Sequence, residues 1–395
     1  MKILHVQETL TPRYGGPARV LPELAKAQAA VGHEVVIATT TADHPKGVYH
    51  DPGWETLADG ATVFYGTVQY LPLLVSASVA RYLHNHIGDF DIVNIHGLYR
   101  FPNTYATYLA RRRNIPFVLV PHGSLDPYLY ARSTTNRLLF KRIYERLFVM
   151  PNLRAADALH YTAEEERERT SFLNLSTPSF VVPNGIDWEP YRVLPPRGAM
   201  RERWGVGDAP VVLFLGRLHV KKGLDLLVPA FDELRKRIPE AQLVIVGPEN
   251  DDHGKDVRRW VAERNLEHAV HFVGPLVGKD VLQAYVDADV FALSSYTENF
   301  GMTVVEAMAC GLPVVISDQV NIHHEITAAA AGLVTHCDVG EVTEALHTLL
   351  TDPQQRRAMG ERGRRLVQDR YAWPAIVGAL TKEYQAVIDR SRTNL

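Results

Sequence analysis

The stretch VVLFLGRLHVKKGLDLL, residues 211 to 227, contains three local patterns in succession. It opens with an apolar run, which is typical of a buried strand in a parallel sheet. A glycine and several basic residues follow, and a segment of helix-forming composition begins at Leu224. We therefore predict a strand, a loop and a helix, the unit from which parallel sheets covered by helices are built.

The same alternation runs along the whole chain. Helix-like segments such as residues 18–31 and 103–113 separate strand-like ones. The strand-like segments are KILHV, EVVIATT, ATVFYG, DIVNIHG and FVLVPHG in the first half, and VVLFLGR, QLVIVG, VHFVG, VFALS and PVVIS in the second. Residues 183–205 are rich in Pro, Gly and Arg and predict a linker. The fold class is therefore α/β, with two doubly wound domains and ligands expected beyond the carboxyl ends of strands, in a cleft between the domains.

Composition excludes several classes of protein. The chain has 395 residues, of which 46% are hydrophobic and 22% charged, as expected of a soluble globular protein. A net charge of −3 argues against nucleic acid as a partner. Only Cys310 and Cys337 occur, so neither a disulfide framework nor a cysteine zinc site is expected, and a reducing cytosol fits. No apolar run approaches the ~18 residues of a membrane span, and the N-terminal run is too short for a signal peptide.

Two carboxylates lie eight positions apart in SYTENFGMTVVEAMACG, residues 295 to 311. We predict a strand before this stretch and a helix over residues 303–310, which places Glu298 in the loop and Glu306 inside the helix. Backbone N–H groups at the start of a helix suit an anion, and a carboxylate beside them suits sugar hydroxyls. The alternative is an exposed loop acid and a solvated helix residue.

Glycines and cations follow other predicted strands. Gly15 and Gly16 permit close backbone approach at the start of a helix, although a plain turn is the alternative. Arg217 and Lys222 flank the loop before Leu224 and together suit a diphosphate, Arg as a fork and Lys as a point charge.

Histidines also follow two predicted strands. His96 in NIHG and His122 in PHGS each come directly after an apolar run. A single histidine in such a place is more often structural than catalytic, but two at corresponding strand ends favour a site.

These segments, taken together, resemble the retaining GT-B-fold glycosyltransferases of family 4, of the type that assembles bacterial polysaccharides. The resemblance is carried, in the family's order, by GGPAR, PHG, PNGID, GRLHVKKGLDLL and SYTENFGMTVVEAMACGLPVV. It implies an acceptor-side domain at residues 1–185 completed by a C-terminal helix at 375–395, and a nucleotide-sugar-binding domain at 186–374. It also implies transfer of a hexose from a nucleoside-diphosphate sugar to a glycan or lipid-linked acceptor in cell-surface polysaccharide biosynthesis.

The resemblance also implies residue roles. Glu306 would bind the ribose hydroxyls of the donor and Glu298 the hydroxyls of its hexose. Arg217 and Lys222 would hold the diphosphate, and His122 would contact the donor sugar near the reacting centre. The implied catalytic residues are His122, Arg217, Lys222 and Glu298; the other implied nucleotide-sugar-binding residues are Gly15, Gly16, Asn184, Asn299, Phe300, Gly301 and Glu306. Lys221 is the weaker lysine candidate, and the role of His96 stays open.

The reaction that the family resemblance implies needs no protein nucleophile, because the leaving phosphate helps to accept the proton of the acceptor. Positioning and stabilisation of the developing phosphate charge then supply most of the catalysis. We expect no metal and no other cofactor. Two alternatives remain at this stage: an epimerase or phosphorylase-like enzyme on the same scaffold, and a catalytically silent sugar-nucleotide-binding subunit.

One basic segment, STTNRLLFKRIYERLFVM from Ser133, has the pattern of an amphipathic helix. Its apolar residues are Leu139, Phe140, Ile143 and Leu147, and its cations are Arg137, Lys141, Arg142 and Arg146. The favoured interpretation is a helix packed on the core with a solvated basic face. The alternative is peripheral contact of residues 137–146 with anionic lipid, or with a lipid-diphosphate acceptor, at the inner face of the membrane.

Overall fold

The computed structural model describes residues 1–11, 15–43, 47–128, 141–249 and 252–393. The chain divides into two compact units. The first comprises Met1–Gly185 and the segment that begins at Trp373, and the second comprises Ile186–Ala372. Arg137, Leu139 and Phe140 of the basic segment lie outside the described residues.

An eight-stranded sheet forms the centre of the first unit, in the order β10-β9-β8-β7-β1-β2-β6-β5. All neighbouring strands are parallel except β5 and β6. The strands of this unit, including the short antiparallel pair β3 and β4, are β1 Lys2–Thr9, β2 Glu34–Thr40, β3 Ala42–Asp43, β4 Gly47–Val48, β5 Gly53–Thr56, β6 Thr62–Gly66, β7 Ile92–His96, β8 Phe117–Val120, β9 Ala158–Tyr161 and β10 Ser179–Val181. Its α-helices are α1 Gly16–Ala30, α2 Ala77–His86, α3 Phe101–Arg113, α4 Met150–Ala155, α5 Glu164–Arg169 and the C-terminal helix Trp373–Thr393.

The two faces of this sheet differ in chemistry. Alternate residues of a strand point to opposite faces, so Leu4 and Val6 share one face with Val93 and Ile95 of the neighbouring strand. This face belongs to an apolar cluster that includes Leu83 of α2. The residues between them lie on the opposite face, where polar side chains are concentrated. These polar residues are His5, Asn94, His96 and His160.

A six-stranded parallel sheet forms the centre of the second unit, in the order β13-β12-β11-β14-β15-β16. The strands are β11 Val211–Leu215, β12 Gln242–Val246, β13 Val270–Gly274, β14 Val290–Leu293, β15 Val314–Ser317 and β16 Gly332–Thr335. The helices are α6 Glu189–Arg192, α7 Ala199–Trp204, α8 Leu224–Arg235, α9 His253–Glu263, α10 Lys279–Asp287, α11 Met302–Ala309, α12 His323–Ala328, α13 Val339–Thr351 and α14 Pro353–Leu366. The prediction of two α/β units with parallel sheets is confirmed.

Most of the predicted linker is folded. The prediction of a linker over residues 183–205 is wrong for the part that contains α6 and α7, which belongs to the second unit. The carboxylate of Asp287 accepts hydrogen bonds from the N–H groups of Gly198 and Met200, both at 2.6 Å, and so caps α7. This capping residue lies far away in the sequence, so local composition could not reveal it.

Strand order reverses between β11 and β14, and ligands of parallel sheets bind at such a switch point. The loop that follows β11 contacts the end of β14. A Cβ atom on Gly223 would lie 1.8 Å from the carbonyl oxygen of Ser294, so only glycine permits this approach, and its φ of +66° also favours glycine. The Ser294 hydroxyl donates to the Gly223 carbonyl at 2.8 Å, and Tyr296 N–H donates to the Lys221 carbonyl at 2.8 Å. These bonds fix the loops after β11 and β14, which carry the predicted site residues Arg217, Lys222 and Glu298.

No helix in the described part of the chain is both long enough and apolar enough to cross a membrane.

Candidate active site

Lys222 and Glu298, which the sequence assigned to one site, are in direct contact. The ammonium of Lys222 donates to Oε2 of Glu298, and the two side chains are only 16% and 20% exposed. The backbone of Glu298 is fixed as well, because its N–H donates to Gln319 and its carbonyl accepts from Asn321, both at 3.0 Å. The structure therefore presents this ion pair on rigid backbone at the carboxyl edge of the second sheet.

Glu306 is buried in α11, with 6% of its surface exposed. Its Oε2 accepts a hydrogen bond from the hydroxyl of Tyr285 at 2.8 Å. The alternative that Glu306 is a solvated helix residue is therefore wrong. Burial and the nearby Glu306 charge raise the pKa of Tyr285 well above its ordinary value, so that the phenol stays protonated and remains a donor.

The residues between the two glutamates contribute mainly backbone. Gly301 has a φ of +80° and immediately precedes α11. Phe300 is 3% exposed, and its ring packs edge-on against Tyr371 with the ring centroids 5.6 Å apart. The side chain of Phe300 is thus part of the core, and only its main chain could contact a ligand. Asn299 accepts a hydrogen bond from the Asn321 amide at 3.4 Å.

Arg217 follows β11 and is exposed. The glycine before it lies against the loop after β12, because a Cβ on Gly247 would meet the Gly216 carbonyl oxygen at 1.7 Å. The structure thus brings Arg217, Lys222 and Glu298 to the same edge of the second sheet, since β11 and β14 are neighbouring parallel strands.

The remaining predicted residues lie in the first unit. Gly15 has a φ of +90° and precedes α1, whose first residue is Gly16. His122 follows β8 with a φ of +50°, which is uncommon for a residue with a side chain. His122 and Asn184 line one small cavity of about 20 Å³ together with Pro17, the residue after Gly16. The structure therefore groups His122 and Asn184 beside the start of α1.

A row of hydrogen bonds, the first partly buried and the next two buried, runs from this cavity through the first unit. His122 Nε2 lies 3.0 Å from His96 Nδ1, and His96 Nε2 lies 3.0 Å from His5 Nδ1. His5 Nε2 in turn lies 2.7 Å from Oε1 of Gln28. His96, whose role the sequence left open, connects His122 to two residues that the sequence analysis had not singled out.

Burial keeps these histidines neutral. It lowers the pKa of His5 to about 4 and that of His122 to about 3, and it lowers the pKa of His96 well below its ordinary value. His160, on the neighbouring strand β9, is also buried, and its pKa is lowered to about 4. Its Nε2 donates to the Val182 carbonyl at 2.8 Å. A signal for His5 existed in the sequence, a lone histidine inside the first apolar strand, but Gln28 and His160 had none.

Two aspartate pairs have the D-x-D spacing found in some metal sites, and both serve other purposes. In the first pair, Asp287 caps α7 and Asp289 pairs with Arg197 at 2.7 Å. In the second, Asp91 accepts a hydrogen bond from the Lys2 N–H at 2.8 Å, and Asp89 Oδ2 lies 3.1 Å from His86 Nδ1. The hydrogen bonds of these carboxylates therefore give them structural roles.

Two parallel-sheet units with polar site residues at the carboxyl edge of the strands are the parts of a GT-B glycosyltransferase. Residues 197–366 match the family described as Glycosyl transferases group 1, and residues 14–189 match Glycosyltransferase Family 4. A D-inositol 3-phosphate glycosyltransferase of Kineococcus radiotolerans is 30% identical over 406 residues, covering 95% of this chain and 92% of that protein. The chain belongs to the family 4 glycosyltransferases, and the protein is a glycosyltransferase.

Other similar proteins differ in how much of their length matches. A GDP-mannose-dependent alpha-(1-6)-phosphatidylinositol monomannoside mannosyltransferase of Mycolicibacterium smegmatis is 33% identical, but the match covers 55% of this chain and 59% of that protein. A GDP-mannose:cellobiosyl-diphosphopolyprenol alpha-mannosyltransferase of Xanthomonas campestris is 26% identical over 100% of this chain and 99% of that protein. The structure of sucrose-phosphate synthase from Thermosynechococcus elongatus superposes with a TM-score of 0.79 at 22% identity, covering 99% of this chain and all of that one, which confirms the GT-B fold.

Proposed function

We propose that the protein is a retaining hexosyltransferase that moves a hexose from a nucleoside-diphosphate sugar to a hydroxyl of a lipid-linked or glycan acceptor. We also propose that the protein takes part in the assembly of a cell-surface polysaccharide. The observation that carries this proposal is the Lys222–Glu298 ion pair at the switch point of the second sheet, with Arg217 on the same edge.

The geometry of the ion pair suggests that its two side chains bind different parts of the donor. An ammonium has three N–H donors, so Lys222 can contact Glu298 and also donate to phosphate oxygens. A carboxylate has two oxygens, so Glu298 can accept from Lys222 and from hexose hydroxyls at the same time. Lys222 would therefore lie where the sugar and the phosphate of the donor meet, and Arg217 would add a second cation for the diphosphate.

Glu306 supports the nucleoside end of the same donor. Its carboxylate is held by Tyr285, so it is fixed before any ligand arrives. A fixed carboxylate suits the two neighbouring hydroxyls of a ribose, because it can accept one hydrogen bond on each oxygen. The start of α11, with the main chain of Asn299, Phe300 and Gly301 before it, would lie along the sugar and the phosphate.

The proposed chemistry is a front-face displacement. The acceptor hydroxyl attacks the anomeric carbon while the bond to the leaving phosphate breaks, and a phosphate oxygen takes the proton of the acceptor. Arg217 and Lys222 would stabilise the negative charge that develops on the departing nucleoside diphosphate. Because two side-chain cations would perform this task, we propose that the reaction needs no metal ion and no other cofactor.

The relatives suggest which substrates to test first. The names of the Mycolicibacterium and Xanthomonas proteins specify GDP-mannose as donor and lipid-linked molecules as acceptors. We infer GDP-mannose as the first candidate donor for this chain, and a lipid-linked glycan as the first candidate acceptor.

A cationic and apolar surface of the first unit supports a lipid-linked acceptor. Ile143, Leu147 and Phe148 are 50%, 61% and 43% exposed, next to the exposed cations Arg142 and Arg146. The favoured interpretation from sequence, that this segment packs its apolar residues on the core, is thus wrong for Ile143 and Leu147. A cavity of about 670 Å³ adjoins this surface, and its lining includes three arginines and one acid, Arg142, Arg146, Arg154 and Glu145, together with apolar residues such as Met150 and Phe172.

Apolar side chains among arginines suit a layer in which acyl chains meet anionic head groups. We therefore propose peripheral contact with the inner face of the membrane through the described part of residues 137–146. This contact would bring the first unit close to a lipid-linked acceptor.

A donor screen tests the proposal. Purified full-length protein is incubated with GDP-mannose, UDP-glucose and ADP-glucose, with and without EDTA, and the release of nucleoside diphosphate is measured. The proposal predicts turnover of one donor, unchanged by EDTA and lost in Lys222→Ala. Equal turnover of wild type and Lys222→Ala would overturn the assignment of the site, and loss in EDTA that Mg²⁺ or Mn²⁺ restores would overturn metal independence. Product analysis separates a transferred hexose from an epimerised nucleotide sugar.

A further inference from the structure

We propose that Gln28, His5 and His96 are positioning residues that hold His122 in one tautomer, with a proton on Nε2 and a lone pair on Nδ1. The inference rests on the proposed function and on the role that the family resemblance implies for His122, a contact with the donor sugar near the reacting centre. It gives that contact a direction: His122 accepts a hydrogen bond from a sugar hydroxyl instead of donating one.

The row of hydrogen bonds passes from helix α1 through two strands to the loop after β8. Gln28 on α1 contacts His5 on β1, His5 contacts His96 at the end of β7, and His96 contacts His122. The register explains why the row is continuous. His5 pairs with Asn94, and His96 is two residues further along β7, so His5 and His96 lie on the same face of the sheet.

Each bond of the row determines the next one. A neutral imidazole carries one N–H and one lone pair, and the Oε1 atom of Gln28 can only accept. His5 must therefore donate from Nε2 to Gln28 and accept at Nδ1 from the Nε2–H of His96. His96 in turn accepts at Nδ1 from the Nε2–H of His122. The last member is left with a lone pair on Nδ1, which is buried and has no hydrogen-bond partner among the described residues.

The orientation of the Gln28 amide decides the direction of the whole row. With Oε1 toward His5, the side-chain amide of Gln28 is also hydrogen-bonded to the hydroxyl of Tyr384 on the C-terminal helix. The side-chain amide of Asn94 donates to the same hydroxyl. The opposite amide orientation would reverse every bond and would place the proton of His122 on Nδ1. Thus a residue far from His122 in sequence selects between a donor and an acceptor at the site.

Burial supports this arrangement because the row requires neutral rings. A protonated imidazole donates from both nitrogens, so a single charged ring would place two donors against each other. The depressed pKa values of His5, His96 and His122 keep all three rings neutral at physiological pH. His122 also shares its cavity with Asn184, another residue for which the family resemblance implies a role in nucleotide-sugar binding.

Histidine NMR on the wild-type protein tests the tautomer directly. Full-length protein labelled with ¹⁵N-histidine is examined at pH 7.5 by two-bond ¹H–¹⁵N correlation, which distinguishes protonated from unprotonated ring nitrogens. Single His→Gln variants assign the signals. We expect His5, His96 and His122 each to carry the proton on Nε2. A proton on Nδ1 of His122, or a mixture of both tautomers in the wild type, would overturn the proposal.

Two variants of Gln28 test whether the row controls activity. Gln28→Leu removes the fixed acceptor, so His122 should become a mixture of tautomers, and kcat should fall roughly threefold to tenfold, as for the loss of one neutral hydrogen bond. Gln28→Glu restores an acceptor for His5 Nε2–H and should restore both the tautomer and most of kcat. The matched control is Gln242→Leu, which removes a similar contact of 2.8 Å with His271 in the second unit and should leave kcat unchanged.

The outcomes separate this inference from the proposed function. A wild-type tautomer and kcat in Gln28→Leu would overturn the inference, as would a loss of kcat that Gln28→Glu fails to restore. The NMR result does not depend on activity. Failure to find a donor substrate would therefore count against the proposed function, whereas the tautomer of His122 would still be decided by NMR.

Discussion

Lys222 and Glu298 form a largely buried ion pair although 76 positions separate them in the sequence. Lys222 ends a short 3₁₀ turn after β11, and Glu298 lies in the loop after β14. The pair therefore connects the two loops at the switch point of the second sheet, and it combines a cation for phosphate with a carboxylate for hydroxyls in one contact.

This ion pair should show strong energetic coupling. In a double-mutant cycle with Lys222→Met and Glu298→Gln, we expect a coupling of roughly 0.5–3 kcal/mol in the free energy of unfolding, because each single change leaves a mostly buried charge without its partner. Urea denaturation measures it. The control pair is Arg237 and Glu344, at 2.6 Å but 46% and 61% exposed, for which a clearly smaller coupling is expected because solvent screens the two charges. Additive effects for Lys222 and Glu298 would show that their contact is not maintained in solution.

Glu306 should contribute mainly to nucleotide affinity. Glu306→Ala removes acceptors for two ribose hydroxyls and should weaken binding of the cognate nucleoside diphosphate by roughly 1–3 kcal/mol. Isothermal titration measures this change. Tyr285→Phe keeps the carboxylate and removes only the Tyr285 hydroxyl, so its effect on affinity should be smaller. Equal affinities for wild type and Glu306→Ala would refute the ribose assignment.

The exposed basic surface should bind anionic vesicles weakly. Arg142→Gln with Arg146→Gln removes two cations worth about 1 kcal/mol each near an anionic membrane, so cosedimentation with such vesicles should weaken roughly tenfold or more. Binding should also fall at high ionic strength. Arg258→Gln with Arg259→Gln makes the same change in net charge on α9 and should leave binding unchanged. Binding that does not depend on lipid charge would contradict this proposal and would show that the surface is only a solvated basic face.

The buried histidines should make stability depend on pH. The folded-state pKa values of His5, His122 and His160 lie near 3 to 4, below the ordinary value of 6.5, so the unfolded chain binds more protons between these limits. The free energy of unfolding should therefore be highest above about pH 6.5 and should decrease as the pH falls toward 4.

Urea denaturation at several pH values measures this dependence. His160→Gln should make the decrease shallower, whereas His84→Gln, which changes an exposed histidine of α2, should leave it as in the wild type. An identical pH profile for wild type and His160→Gln would contradict the account.

The strands at the centre of each sheet could be predicted because they are continuous apolar runs, as in VVLFL. Strand β9, with the sequence ALHY, could not, because it is short and contains a buried histidine whose partner is a distant carbonyl. Spacing alone left Glu298 and Glu306 open, and their roles were predicted through the family resemblance. The hydrogen bond that holds Glu306 comes from Tyr285, which precedes it by 21 residues. The histidine row could not be predicted, because it exists only if β1 and β7 are neighbours in the sheet, and sequence periodicity does not give strand order.

The stereochemistry of the product tests the central claim most directly. The protein is incubated with the donor identified in the screen, GDP-mannose in the first instance, and with a lipid-linked glycan acceptor, and ¹H NMR establishes the anomeric configuration of the new linkage. Retention predicts an α-linked product from the α-linked donor, absent in Lys222→Ala. A β-linked product, or none from any nucleotide sugar with glycan or lipid-linked acceptors, would contradict the account.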